Sequence, residues 1–329
     1  MNFMGQIYFL AIVFLFSVFG TVLLTSKIIP KLVLAGITGK DMHKINKPEV
    51  AEMGGIAIVA GFIGSAIVGI ILHLFFGFNF ELAGIMAALL TVAIVAIIGI
   101  YDDMVDIGQV VKALLPLAAA VPLIAIEIAR GYNVIAIPFI GSLDFGILYP
   151  ILLIPLAIAV CSNLTNMLAG YNGLEVSLGI VIFAALSILS YMHGNVEMAV
   201  LSIAMLGALI GFLKFNWYPA KTFLGDVGTL TIGAAIGAAV ILSNLKAAGV
   251  ILMLPYIIDW VLKLVNKFPK SFAEIGKDGK LRAPKDKTRG FADLVLKISG
   301  GLSEKSLVIR IVLIEIVIAL CVVLYFGKF

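Results

Sequence analysis

Ten stretches of this 329-residue chain are apolar for long enough to cross a bilayer, and no other feature narrows the fold as far. They lie near residues 6–29, 53–76, 82–101, 112–129, 148–165, 173–192, 196–214, 227–243, 247–265 and 306–327. A helix needs roughly 17–25 such residues to span the hydrocarbon core. The runs therefore predict an all-α, polytopic membrane protein with about ten transmembrane helices in a single integral domain over 1–329. Composition agrees, since 62% of residues are hydrophobic and 13% charged. A soluble domain carries about 25% charged residues. The first run is too long for the apolar core of a signal peptide, lacks a basic residue before it, and reads as a retained span. Cys161 and Cys321 both sit in apolar surroundings and suggest neither a disulfide framework nor a metal site.

Ten spans place both termini on one side and divide the connections into two sets. One set holds 30–52, 102–111, 166–172, 215–226 and a basic loop at 266–305. The other holds 77–81, 130–147, 193–195, 244–246 and the two ends. Of the 23 Lys and Arg residues, Arg130, Lys246 and Lys328 belong to the second set, and the other 20 belong to the first or its adjoining helix ends. Positive loops stay cytoplasmic. The first set is thus expected in the cytoplasm, with both termini on the non-cytoplasmic side. Every polar cluster of chemical interest also falls in the first set. That coincidence argues for one composite cytoplasmic site.

The densest cluster is Ile97–Lys112, which places Asp102, Asp103 and Asp106 within five positions. In a helix, Asp102 and Asp106 share a face, and Asp103 and Asp106 are three apart. Acids at the end of a span are costly unless paired, hydrated or holding a cation. Like charges so close predict a positive partner. Mg²⁺ suits carboxylates combined with substrate phosphates. A solvated acidic helix end is the alternative.

The first loop, Thr38–Gly55, carries Lys40, Asp41, His43, Lys44, Lys47 and Glu52 ahead of a Gly54-Gly55 pair. That pair permits close approach to a ligand or to another helix. In Asn163–Glu175, Asn163 and Asn166 are one helical turn apart, and Asn172-Gly173 signals a turn. Amides there could ligate a hard cation or hold a sugar or base; a polar cap plus turn is the plainer reading. In Lys214–Gly228, Trp217 and Tyr218 fit an interfacial aromatic belt. Asp226 opens a new apolar run, as an N-cap or as a second acidic centre facing Asp102 and Asp103. The basic loop suits anionic headgroups or a nucleotide diphosphate. Its segment 291–297 could form a short helix on the interface.

DDMVD, NMLAGYNGLE and FLGD, in that order on one set of loops, resemble the polyprenyl-phosphate N-acetylhexosamine-1-phosphate transferase family over essentially the whole chain. GKDMHK, NWYPAKTFLGD and LVLKISGGLSEKSL are similar to its eukaryotic and archaeal UDP-GlcNAc–dolichyl-phosphate branch. The resemblance implies attack of a polyprenyl phosphate on the β-phosphate of a UDP-HexNAc, with UDP-GlcNAc the expected donor. The products are polyprenyl-diphospho-HexNAc and UMP, in the first membrane step of lipid-linked glycan assembly, whether for N-glycosylation or for the cell envelope. It implies Mg²⁺ as cofactor, with Mn²⁺ as a substitute. Asp226 and Asn166 would bind the metal. Asp102 and Asp103 would position or deprotonate the lipid phosphate, and Lys112 would meet a phosphate.

Met42 and Asn172 would lie at the uridine, with Glu52 near the sugar. Asp106, where the branch often has Asn, and Asn163 join the substrate-binding set. The bacterial muramoyl-pentapeptide branch has a His-rich motif in the last loop, and the eukaryotic members have an Arg/His motif there. This chain has neither, so Arg282 and Lys270 are the candidates for that cation. Expected partners are the UDP-sugar, the lipid phosphate, the bilayer and a second copy as a homodimer, with no nucleic acid. The expected place is the plasma membrane with a cytoplasmic site, or the endoplasmic reticulum in a eukaryotic source.

Two rivals stand beside this reading. Tyr101-Asp102 and Gly225-Asp226 loosely match an intramembrane aspartyl protease, although Phe223 occupies a position that needs glycine. Acids and amides at helix breaks also suit an ion-coupled transporter, although such sites usually lie near the bilayer midplane.

Overall fold

The computed structural model describes residues 3–77, 81–131, 134–137, 141–269 and 273–328. The apolar runs are helical because a backbone in hydrocarbon can satisfy its N–H and C=O groups only within its own segment. In chain order, α1 is Phe3–Leu34, α2 Gly55–Phe76, α3 Leu82–Val105, α4 Gln109–Ala119 and α5 Val121–Arg130. A π-helical turn at Tyr149–Leu153 leads into α6, Ile154–Met167. Then come α7 (Leu174–Met192), α8 (Val196–Asn216), α9 (Gly225–Leu242), α10 (Lys246–Leu252), α11 (Leu254–Val265), α12 (Phe291–Ser299) and α13 (Glu304–Phe326). Three antiparallel hairpins fill connections: β1 (Thr38–Lys40) with β2 (Glu49–Ala51), β3 (Val134–Ile137) with β4 (Gly141–Asp144), and β5 (Glu274–Ile275) with β6 (Leu281–Arg282).

Among the described residues, nine helical stretches are long and apolar enough to cross a membrane, with α4 and α5 together forming one of them. The expected ninth run is instead a bent pair, α10 and α11, inclined by 62°. Counted as one span it makes ten. The break falls at Met253, with Pro255 in the first turn of α11. Proline lacks the N–H that would continue the helix and crowds the preceding turn. Pro122 stands in the same place after the break at Ala120 between α4 and α5. The segment expected to lie on the interface is α12, extended to Ser299.

α9 is the most enclosed span, with 83% of it buried, against 28% for α1. Small residues let its neighbours press close. A Cβ on Gly99 of α3 would lie 2.5 Å from Cα of Val227, and one on Gly55 of α2 would strike the backbone of Gly228. The Gly54-Gly55 pair therefore serves helix packing. Its two N–H groups donate to the carbonyls of Phe223 and Leu224, each at 2.9 Å, which ties the start of α2 to the start of α9.

Alternation of the spans gathers the β1–β2 loop, the end of α3 and the starts of α4, α7, α9 and α13 at one end of the bundle. The start of α1 and the end of α13 lie at the other end, where His193 at the end of α7 contacts the Phe326 carbonyl at 3.0 Å.

Candidate active site

α3 stays helical through Asp102 and Asp103 and stops at Val105. Asp106 is its C-cap, at φ 52°, and is exposed. It has left the helical register, so it does not share a face with Asp102 as an unbroken helix would require. Asp102 is buried. Its Oδ1 accepts the Ile107 N–H at 3.0 Å, and its Oδ2 pairs with Lys112 Nζ at 2.7 Å.

Asp103 points elsewhere. Its two oxygens accept the backbone N–H groups of Asp226 (2.7 Å) and Val227 (3.0 Å). The N-cap position of α9 is Leu224, which has no side-chain oxygen to offer. Asp103 supplies the missing cap from another helix, where the positive end of the α9 dipole favours an anion. Gly225 makes this approach feasible, since it adopts φ +68° and a Cβ there would sit 2.5 Å from Asp103 Oδ2. The N-capping reading of Asp226 is thereby corrected: its side chain is free of that duty because Asp103 performs it.

Lys112, the fourth residue of α4, is the positive partner that the acids demand. Its ammonium bonds both Asp102 and Asp226. Asn166 of α6 completes the group. With its amide turned to satisfy its neighbours, the oxygen accepts from Lys112 at 3.1 Å, while the nitrogen donates to Asp226 Oδ1 at 3.0 Å and Thr229 Oγ1 at 2.9 Å. Three carboxylates, one amide and one ammonium from α3, α4, α6 and α9 thus converge.

Above this group opens a cavity of about 250 Å³ whose lining includes Asp226, Asn166, Glu52, Met42, Tyr171 and Asn172. Burial, and after it the nearby Asp103 charge, raises the Glu52 carboxyl above its ordinary range. His43 stacks on Tyr171 with ring centroids 4.4 Å apart. Burial outweighs the neighbouring Asp41 charge and lowers the His43 pKa, which favours the neutral ring. A second, almost wholly apolar cavity of about 520 Å³ lies between α6, α9 and α10–α11. It runs from Leu164, two residues before Asn166, to Tyr149 and Lys246 near the far end of the bundle.

Three residues of the expected substrate-binding set do not line the 250 Å³ cavity, the first being Asp106 at the exposed end of α3. Asn163 donates to the carbonyls of Ala159 (2.7 Å) and Ala113 (3.1 Å), so it fastens α6 to α4 and does not line the 250 Å³ cavity. Arg282 sits on the exposed β5–β6 hairpin in a two-pronged pair with Asp278, each bond 2.7 Å. Spacing could not reveal this, because a paired arginine and a waiting one look identical in a basic loop. Lys270 lies outside the described residues. Sequence reasoning also missed Glu304, which accepts the Asn172 backbone N–H at 2.8 Å. As an acid in the first turn of α13, just after the N-cap Ser303, it reads as an ordinary helix start. Tyr218 does more than mark an interface, since the Lys44 ammonium lies 4.2 Å from its ring centre.

The fold and the site define a polytopic membrane protein with a charged, amide-lined cavity at one end of a helical bundle. The chain belongs to glycosyl transferase family 4, whose model matches residues 85–244. A Sulfolobus acidocaldarius protein provisionally named UDP-N-acetylglucosamine–dolichyl-phosphate N-acetylglucosaminephosphotransferase is 36% identical over 293 residues, 88% of each chain. A Dictyostelium discoideum protein bearing that name outright is 28% identical over 95% of this chain and 87% of its own. The phospho-N-acetylmuramoyl-pentapeptide-transferase of Shouchella clausii is 34% identical over 69% of this chain and 71% of its own. These relatives are named as transferases, and the protease and transporter readings fall. The site agrees, since the ammonium of Lys112 lies between Asp102 and Asp226, where a protease dyad sets its two carboxyls against each other.

Proposed function

We propose that the protein transfers N-acetylglucosamine-1-phosphate from UDP-GlcNAc to a dolichyl-type polyprenyl phosphate. The products are the lipid diphosphosugar and UMP, and the site faces the cytoplasm. The convergence of Asp102, Asp226, Asn166 and Lys112 on one point below the 250 Å³ cavity is what supports this reading most directly. The names of the relatives supply the substrate class.

Phosphoryl transfer asks a protein for positioning and charge neutralisation more than for covalent chemistry. Two acids and an amide already converge on an ammonium, so the oxygen set suits a cation. The Asp226 carboxylate and the Asn166 amide oxygen are the hard donors that would hold Mg²⁺, or Mn²⁺ in its place. When bound, the ion would offset the charge of the diphosphate.

The chain's own residues do the rest. Lys112 holds Asp102 and Asp226 together and can turn its ammonium to an arriving phosphate. Asp102, its partner, is the carboxylate available to orient the lipid phosphate and take its proton. Asp103 acts through α9 and fixes where Asp226 stands. The apolar cavity beside Leu164 offers the lipid tail a place next to the reacting phosphate.

The test uses purified protein, Mg²⁺, polyprenyl phosphate and UDP-GlcNAc radiolabelled in its β-phosphate. Label should move to the organic phase and UMP should appear. Asp102→Asn or Asp226→Asn should lower transfer by about 10²–10³-fold, as removal of a key electrostatic group does. Chelation of divalent ions should stop it. Transfer that survives both substitutions would overturn the proposal. UDP-GalNAc in place of UDP-GlcNAc tests the sugar.

A further inference from the structure

α6 delivers Asn166 from its last turn, and three neighbouring helices hold that turn. Asn163 Nδ2 donates to the Ala113 carbonyl of α4 at 3.1 Å, and Thr165 Oγ1 donates to the Thr229 carbonyl of α9 at 2.8 Å. The third hold comes from α11, whose Lys263 ammonium donates to the Met167 carbonyl. Met167 is the last residue of α6 and directly follows Asn166. The last carbonyls of a helix have no partner within it and carry the negative end of its dipole. An ammonium supplied by another helix answers both demands.

Lys263 is itself held in place. Asp259, one turn earlier on α11, is buried and pairs with it at 2.8 Å. The other Asp259 oxygen accepts the Phe291 N–H at 2.8 Å, at the start of α12, where the N-cap Gly290 has no side chain to offer. One ion pair on α11 thus ties the end of α6 to the start of α12. Apolar packing does not do this work here. The 520 Å³ cavity opens between α6 and α11, with Cys161 and Leu164 of the one and Ile257 of the other in its lining. Side chains that line a cavity lack partner atoms on that side, so they do not set the spacing of the helices that carry them.

We propose that Lys263 is a positioning residue for Asn166. By bridging α11 to the end of α6, it fixes where the Asn166 amide stands relative to Asp226. This role rests on the reading above, in which Asn166 serves the transfer as a metal ligand.

The test takes purified full-length protein and places Lys263→Met in an Asp259→Asn background, so that no carboxylate is left buried without its cation. The first readout needs no turnover. Hydrogen–deuterium exchange over residues 160–168 should rise about tenfold relative to Asp259→Asn alone, with the other spans unchanged. The second readout is transfer, where kcat should fall about 10–100-fold, the usual loss when the support of a metal ligand is removed. Lys263→Arg keeps a donor and a charge and should restore both readouts. In an Asn166→Ala background, removal of the lysine should lower kcat little further, because its route to the site is gone. A merely structural role would instead raise exchange in every span and lower kcat by the same factor with or without Asn166. Either of those results, or unchanged exchange at the end of α6, overturns the proposal. Label transfer by the unsubstituted protein together with unchanged exchange leaves the function standing and the clamp refuted. Absence of transfer by the unsubstituted protein refutes the function, and exchange at α6 then still decides whether Lys263 holds Asn166.

Discussion

At the far end of the bundle, Arg130 lies between Glu81 and Glu127, while at the cavity end Lys112 lies between Asp102 and Asp226. Both are basic residues serving two acids from neighbouring helices. The far cluster is closed. Arg130 meets Glu127 at 3.1 Å, and Glu127 also takes the Tyr149 hydroxyl at 3.4 Å. A guanidinium is a planar, always-charged fork that fixes its partners in one geometry. The lysine ammonium is a compact charge on a flexible stem. In the proposed reaction it leaves two carboxylates for an incoming phosphate and returns. The same charge pattern therefore serves as a fastening at one end and, in the proposed reaction, as an adjustable centre at the other.

Removing each cation in turn would break or sharpen this comparison most. Lys112→Met should lower transfer by about 10²-fold or more, as the loss of a charge-stabilising group does. Arg130→Met should leave transfer per folded molecule unchanged. It should instead cost about 3–5 kcal/mol of stability, because Glu127 stays buried without its partner. Thermal unfolding in detergent, read beside the transfer assay, separates the two results. Equal losses of transfer in both variants would mean that the two clusters do not differ in kind.

A smaller effect tests how the cavity end is held. Gly225→Ala should cost about 1–3 kcal/mol through the strained φ and the contact with Asp103. Asp103→Ala should cost about 0.5–2 kcal/mol, the usual cost of a lost helix cap. If Asp103 acts through α9, transfer should fall with the displacement of Asp226 in both variants, and a variant with intact transfer would count against that role.

Within the bundle, Glu315 of α13 contrasts with both clusters. It is fully buried, and neither oxygen has a partner among the described residues. Glu315→Met should raise the melting temperature, by the equivalent of about 1 kcal/mol. A fall would show that the carboxyl has a partner that matters.

The smallest effect is a pH slope. Burial lowers the pKa of His43 from its ordinary 6.5, so the unfolded chain binds the proton more readily than the folded protein. The stability it contributes is present above pH 6.5 and is lost as pH falls through the lower folded value. His43→Gln should flatten that part of the stability curve, measured by unfolding midpoints between about pH 7 and 5.

Most of the helical scaffold was legible from hydropathy, because each span must satisfy its backbone alone and so announces itself by length and apolarity. The gathering of Asp102, Asp103, Lys112, Asn166 and Asp226 was legible too, through charge placed at the ends of alternate spans. Asp106 misled because the i, i+4 rule assumes a helix that continues, and this one stops at Val105. Asn163 and Arg282 misled because an amide or a guanidinium carries no sign of whether a neighbour already satisfies it. Glu304 escaped because its partners, Asn172 and Lys44, are 132 and 260 residues away.

The sequence by itself determined that the protein is a bundle of membrane helices whose acids, amides and most basic residues lie at one end. Hydrocarbon leaves a polypeptide few alternatives. Tertiary structure alone decided the division of labour among nearly identical carboxylates. Asp102 holds a lysine, Asp103 caps a helix, and Asp41 accepts from an amide. A carboxylate's role is set by the donors within about 3 Å of it. Those donors come from segments that meet only when the bundle closes.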